Sequence, residues 1–395
     1  MRWWWGGVGL FLVCATGPAA QAADGPSIIL IDALTGQSLR EENADAIARP
    51  GSLSQLMVLL LSLEEAAMGA LPLDAPVTVR ATATPSVAAS DTAPRVTQTK
   101  HPKRAKVAPP PVPPPPLWLR AEKPYILSDL LKAMLLTSSS QAATVVAEAI
   151  AGSVPACVEL MNARAQRLGM EATHYASIED GAPADAGATT ARDLARLAHA
   201  LVQHPAVLEW SSLNGLPFDQ GASLLRNANQ LIGTVPGVDG LHVSSTGTGR
   251  AMSFSMIASA QRGPLRLIAV VAGAPSSVNR YKAAADLLEW GFTHYQRLEI
   301  VRKDEPLNFP IHVNRGSVAE VTPIAGNTFS LLRRRDEEHD LQLRYQLPTT
   351  LTAPLKHRQP IGEIIVEEKG QLIGVVPVLN PMRVRSAGIV AAALP

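Results

Sequence analysis

Arg49-Pro50-Gly51-Ser52-Leu53-Ser54-Gln55-Leu56-Met57-Val58 decides how this chain is read. Pro50-Gly51 marks a turn, and the apolar run after Gln55 reads as a buried helix ending near Met68 before Gly69. Two readings of the junction stand side by side. Ser-x-x-Gln before an apolar run is a capping box, in which Ser52 and Gln55 satisfy orphan N–H groups of the first turn. Alternatively, Ser52 is a nucleophile at the mouth of a helix. Residues i and i+3 share one helix face, so position 55 is where an activating base would stand. Glutamine cannot take that part, because its amide exchanges no proton near neutral pH.

Upstream, Ser27-Ile-Ile-Leu-Ile-Asp32 reads as a strand, Leu34–Gln37 as a turn and Ser38–Glu42 as the return strand. Downstream, helical patterns are expected at Ser128–Leu136, Gln141–Ala151, Pro155–Gly169 and Thr190–Gln203, with a turn at Thr137–Ser140. Met252–Ala260 and Leu265–Gly273 read as paired strands, and Tyr281–Tyr295 as a helix. Beyond Arg297 the pattern becomes short alternating strands at Asn308–His312, Leu341–Tyr345, Glu363–Glu367 and Leu372–Val376, which predicts a small all-β domain.

At 395 residues the chain has room for two domains. Its 35 basic and 34 acidic residues nearly cancel, which argues against a nucleic-acid partner. Arg2, an apolar stretch from Gly6 to Thr16 and the small-x-small site Ala20-Gln21-Ala22 predict an export signal over 1–22. A retained anchor with Trp3–Trp5 at the interface is the other reading. Cleavage after Ala22 removes Cys14 and leaves Cys157, which reads as a small core residue with no disulfide partner. Residues 82–117 carry Ala, Thr, Ser and Pro, a basic cluster over 100–106 and the run Pro109–Pro116. That composition cannot bury a core and predicts a polyproline or unstructured insertion. It is either a tolerated insertion or a docking arm. No histidine spacing suits a metal.

Several segments, in order, carry a resemblance. They are Asp32–Leu39 with Glu42–Asp45, Met161–Met170 with Thr173-His174-Tyr175, Thr190–Ala198, Pro236–Leu241, Leu267–Pro275, Leu287–Phe292 and Ala353–Gly362. Together with Ser52 they resemble the penicillin-binding serine-type D-alanyl-D-alanine carboxypeptidases. The resemblance implies an α/β (α+β sandwich) transpeptidase/β-lactamase-like domain over 23–296, interrupted by the insertion 82–117. It further implies a C-terminal β-rich domain over 297–385, leaving a short tail at 386–395.

The same resemblance implies three catalytic motifs, and each is altered here. Where the family has a lysine three residues after its nucleophile, this chain has Gln55. Ser138-Ser139-Ser140 stands where the family has Ser-x-Asn, so Ser138 is kept and Ser140 replaces the asparagine. His242-Val243-Ser244 stands where the family has Lys-Thr-Gly. The implied oxyanion donors are the backbone N–H groups of Ser52 and Ser245. The expected function is an exported homologue acting in peptidoglycan metabolism, a pseudoenzyme that binds a stem peptide or a cell-wall protein without turnover. Its alternative is an active carboxypeptidase or acyl hydrolase in which His242 faces Ser52 as a replacement base. A third reading makes the proline-rich arm the binding element. No cofactor is implied. The end of the chain, Ala387–Pro395, lacks the charged amphipathic helix that anchors relatives, so the protein is expected to be soluble outside the inner membrane.

Overall fold

The computed structural model describes residues 25–80, 119–178, 187–246, 252–338 and 340–387. The export signal, the proline-rich insertion and the last residues of the tail lie outside these. The chain divides into two compact units. The first comprises Met1–Ile31, Ser38–Ala258 and Ile268–Ala284; the second comprises Asp32–Gln37, Ser259–Leu267 and Ala285–Pro395.

A five-stranded sheet lies mainly in the first unit. Its strands are β1 (Ser27–Asp32), β2 (Ser38–Glu42), β3 (Val238–Thr246), β4 (Ser253–Arg262) and β5 (Leu265–Ala274), in the order β2-β1-β5-β4-β3. β1 and β2 form the hairpin that the sequence predicts. β4 and β5 are buried over most of their length, as their continuous apolar runs require.

Helices and three short strand pairs supply the rest of this unit; the helices are α1 (Gln55–Ala67), α2 (Leu127–Thr137), α3 (Ser140–Ala151), α4 (Val154–Arg167), α5 (Ala191–Val202), α6 (Pro205–Ser211) and the start of α7 (Ser277–His294), which continues into the second unit. Every residue of α1 from Gln55 to Leu63 is buried. A helix apolar on all sides must sit inside a ring of others, and α1 packs against α3, α4 and α5. The capping-box expectation is corrected here. Ser52 lies in a 3₁₀ turn, Gly51–Ser54, that precedes α1, and neither the turn nor the helix has a side-chain cap. Helix α6 and the hairpin Gly215–Phe218/Ser223–Arg226 had no sequence expectation.

The second unit contains the strands after α7. They are β6 (Tyr295–Val301), β7 (Ile311–Asn314), β8 (Glu320–Val321), β9 (Ile324–Ala325), β10 (Phe329–Arg334), β11 (Leu341–Gln346), β12 (Thr350–Thr352), β13 (Pro360–Glu368) and β14 (Gln371–Leu379). β6 pairs with β10, β8-β7-β12 form one small sheet, and β9-β14-β13-β11 form another. Two small apolar clusters hold them. One is built from Val301, Ala325, Ile364, Val376 and Val378; the other from Val313, Val321, Leu355 and Val384.

This unit also holds a buried ion pair. Arg297 donates to Asp32 at 2.5 Å, and both side chains are shut off from solvent. Asp32 accepts further bonds from the Thr35 N–H and hydroxyl, and Arg297 donates to Ser330 Oγ. Removing one partner of such a pair strands the other charge, at a cost of about 3–5 kcal/mol. Arg297→Ala is expected to lose stability on that scale in urea unfolding. The double change Asp32→Asn with Arg297→Met is expected to recover more than half of it.

Candidate active site

Gly51 makes the local turn possible. Its φ of +52° lies in the left-handed region, which follows Pro50 and tips the chain into the 3₁₀ turn. Ser52 thereby comes against β3. Its hydroxyl donates to the Val243 carbonyl at 3.4 Å, and it is only 1% exposed. The Ser52 N–H donates to Ser244 Oγ at 3.0 Å. One of the two donors expected to form the oxyanion hole is therefore occupied by a side chain of this protein, at the position where the resemblance calls for glycine.

Gln55 follows on the first turn of α1 and is buried. Its amide N–H reaches the Ser138 carbonyl at 3.5 Å, and among the described residues its Oε1 has no hydrogen-bond partner. An orphaned buried carbonyl costs about 1–3 kcal/mol. This destabilises the site without supplying a base.

Strand β3 brings His242 in from the opposite wall. Gly240 sets its course, because a Cβ there would lie 1.8 Å from Ser211 Oγ on α6. The next residue, the buried Leu241, holds a φ of +77°. A non-glycine side chain in that region stores about 1–3 kcal/mol of strain. This kink immediately precedes His242.

The expected pairing of His242 with Ser52 is corrected. His242 is 2% exposed, its Nδ1 lies 3.0 Å from the Leu135 carbonyl, and its Nε2 lies 3.1 Å from Ser138 Oγ. Assigning the ring proton to Nδ1, which faces the Leu135 carbonyl at the shorter distance, makes Nε2 an acceptor for the Ser138 hydroxyl. Ser138 has a second acceptor in reach, the Val243 carbonyl at 3.1 Å. Burial pushes His242 down to about 4, against the pull of the Leu135 and Ser52 backbone carbonyls, with Arg280 pushing the same way as burial. The ring is neutral at pH 7.

Ser52, Gln55, Ser138, His242, Val243 and Ser244 thus converge. Ser140 opens α3, and its carbonyl accepts from Thr144 Oγ1. Val243 is buried and offers only its backbone. Ser245 continues β3; its side chain lies outside the described residues.

Sequence reasoning missed Arg280. This α7 side chain is 5% exposed and donates to the carbonyls of Ser244 at 2.6 Å and Ser255 at 3.3 Å. Tyr281 and Phe254 flank its guanidinium. Its Nε–H is buried without a partner, and among the described residues no carboxylate pairs with it. Only the position 280 arginine itself, opposite an apolar helix face, could have hinted at it.

A buried neutral histidine links stability to pH. The unfolded ring binds a proton below about 6.5 and the folded ring below about 4, so the unfolded state holds more protons in that window. Stability is therefore expected to fall as pH drops from about 6.5 to 4, by about 3 kcal/mol from this residue. His242→Gln is expected to flatten that part of the unfolding-midpoint-against-pH curve. An unchanged slope would contradict the assignment.

A family model described as D-alanyl-D-alanine carboxypeptidase matches residues 116–276, and one described as the penicillin-binding protein 5 C-terminal domain matches residues 295–385. D-alanyl-D-alanine carboxypeptidase DacC of Escherichia coli is 29% identical over 391 residues, covering 96% of this chain and 90% of its own. DacF of Bacillus subtilis is 23% identical over 373 residues, covering 93% and 88%. Penicillin binding protein 6B from Escherichia coli superposes with a TM-score of 0.62 at 25% identity, over 90% of this chain and 95% of that one. The peptidoglycan synthesis regulatory factor (PBP3) from Streptococcus pneumoniae, at 20% identity and a TM-score of 0.66 over 91% and 99%, shares the fold. With the domain pair and the ordered segments in place, this chain belongs to the low-molecular-mass penicillin-binding protein family of serine-type D-alanyl-D-alanine carboxypeptidases.

Proposed function

We propose that this protein is an exported pseudoenzyme of peptidoglycan metabolism, which holds a stem peptide or a cell-wall protein without cutting it. One observation carries the reading. Among the described residues the hydroxyl at the nucleophile position meets no base: Ser52 Oγ reaches a backbone carbonyl, while Ser244 takes its N–H. Losing a general base costs typically ~10²–10⁴ in rate. Losing one oxyanion donor costs roughly 10²–10³. The two act together, so they do not simply multiply.

Binding has separate support. Val243 has no hydroxyl and His242 no charge, so neither can hold a terminal carboxylate as the family's lysine and threonine do. Arg280 remains, with one buried N–H unpaired beside Ser244. A carboxylate is the chemistry that suits it. Export rests on the expected signal over 1–22.

Benzylpenicillin tests the reading. Intact mass after long incubation is expected to show no penicilloyl adduct, and calorimetry is expected to show binding of a pentapeptide ending in D-Ala-D-Ala. An adduct on Ser52 at an ordinary rate, or no peptide binding, would sink it. Restoring the motifs is a stricter test. The combination Gln55→Lys, Ser140→Asn, His242→Lys, Val243→Thr and Ser244→Gly is expected to regain acylation by at least about 10²-fold, read as penicilloyl mass on Ser52.

A further inference from the structure

Ser138 has what Ser52 lacks. Its Oγ lies 3.1 Å from His242 Nε2, and the opposite ring nitrogen is fixed by the Leu135 carbonyl at 3.0 Å. A hydroxyl, a neutral imidazole and an acceptor that sets the tautomer are the working parts of a serine–histidine nucleophile. Here a backbone carbonyl takes the place of the usual carboxylate. Ser138 sits at φ +54°, ψ +39°, between the end of α2 and the Ser139 cap of α3. A serine on a strained turn ahead of a helix is the arrangement that presents the nucleophile in many hydrolases. Ser138 is half-buried, whereas Ser52 is shut in.

We propose that Ser138 and His242 form a second nucleophile–base pair that hydrolyses activated carboxylic esters, with Ser138 as the acyl acceptor. Ser138 Oγ attacks the ester carbonyl carbon while its proton passes to His242 Nε2. The carbon–oxygen bond to the leaving alcohol breaks, and that alcohol takes the proton from Nε2. Water then attacks the acyl-serine and gives one proton to Nε2. The carboxylic acid leaves, and the returning proton restores the Ser138 hydroxyl. The N–H groups of Ser140 and Gln141, in the first turn of α3, have no intrahelical acceptor and are assigned to the developing oxyanion. Ser139 Oγ already takes the Ala142 N–H.

Three carbonyls and the burial of the ring set the rate. The carbonyls of Leu135 and Ser52 favour the imidazolium formed in passing. Burial opposes it and makes His242 a weak base, so the leaving group must be good: an aryl alcohol, not an amine. The Val243 carbonyl competes for the Ser138 proton. This activity does not rest on stem-peptide binding, because it uses neither the Ser52 hydroxyl nor the Arg280 guanidinium.

The full chain is incubated with p-nitrophenyl acetate, and separately with an alkyl fluorophosphonate, which phosphonylates an activated serine as fluoride leaves. Fragment mass mapping is expected to place the phosphonyl group on Ser138. Ser138→Gly fits the backbone at this φ and is expected to abolish both label and hydrolysis without lowering the melting temperature appreciably. His242→Gln is expected to slow hydrolysis by about 10²-fold or more. Label on Ser52, Ser139 or Ser140, no label on folded protein, or undiminished hydrolysis in folded Ser138→Gly would overturn the proposal. Failure of pentapeptide binding would leave it standing, and a penicilloyl group on Ser52 would sink only the earlier reading.

Discussion

The bond from His242 Nδ1–H to the Leu135 carbonyl governs the chemistry of the cleft. It fixes the tautomer, and the tautomer fixes every other proton nearby. Nε2 must accept, so Ser138 turns its proton toward it. That leaves the Val243 carbonyl for Ser52, at a longer reach. A lysine in place of His242 would reverse the pattern, because an ammonium only donates. The site around β3 is organised around a neutral ring rather than a cation. Burial keeps that ring neutral, since a charge there would have to be desolvated without a carboxylate to offset it.

The second unit shows the opposite solution to the same problem. Arg297 and Asp32 are buried as ions, and each finds additional hydrogen bonds from Ser330 or Thr35. Arg280 lies between the two cases. It is a buried cation satisfied largely by carbonyl dipoles and aromatic faces. Its orphaned Nε–H and the orphaned Gln55 Oε1 are two of the buried polar atoms left without a partner among the described residues, alongside others such as the Tyr175 hydroxyl and Asn380 Oδ1. Buried polar groups without partners are uncommon in folded proteins.

Much of the fold was legible because its periodicities are strong. The long apolar run from Ser52 reads as a helix, and Leu341–Tyr345, Glu363–Glu367 and Leu372–Val376 read as strands that the structure extends to Leu341–Gln346, Pro360–Glu368 and Gln371–Leu379. The hairpin of β1 and β2 followed from its turn residues. The capping box failed because the sequence pattern is local and the winning contact is not: Ser52 bonds to β3, across 191 residues of chain. For the same reason the partner of His242 could not be read. Ser138 and His242 lie 104 residues apart, and only the ring's second nitrogen decides between Ser52 and Ser138. Helix α6 is too short for a periodic signal. Arg280 reads as one more solvated arginine until the fold puts it inside.

Ser244 deserves a last thought, because its hydroxyl closes the Ser52 N–H from within. The protein carries its own competitor for the place where a tetrahedral oxygen would rest. Changes elsewhere in the cleft are then masked: a restored amine at position 55 meets a hole that is already filled. While Ser244 holds that N–H, a base supplied at position 55 gains no oxyanion donor, so the effects of substitutions at 55 and 244 on reactivity are coupled rather than additive.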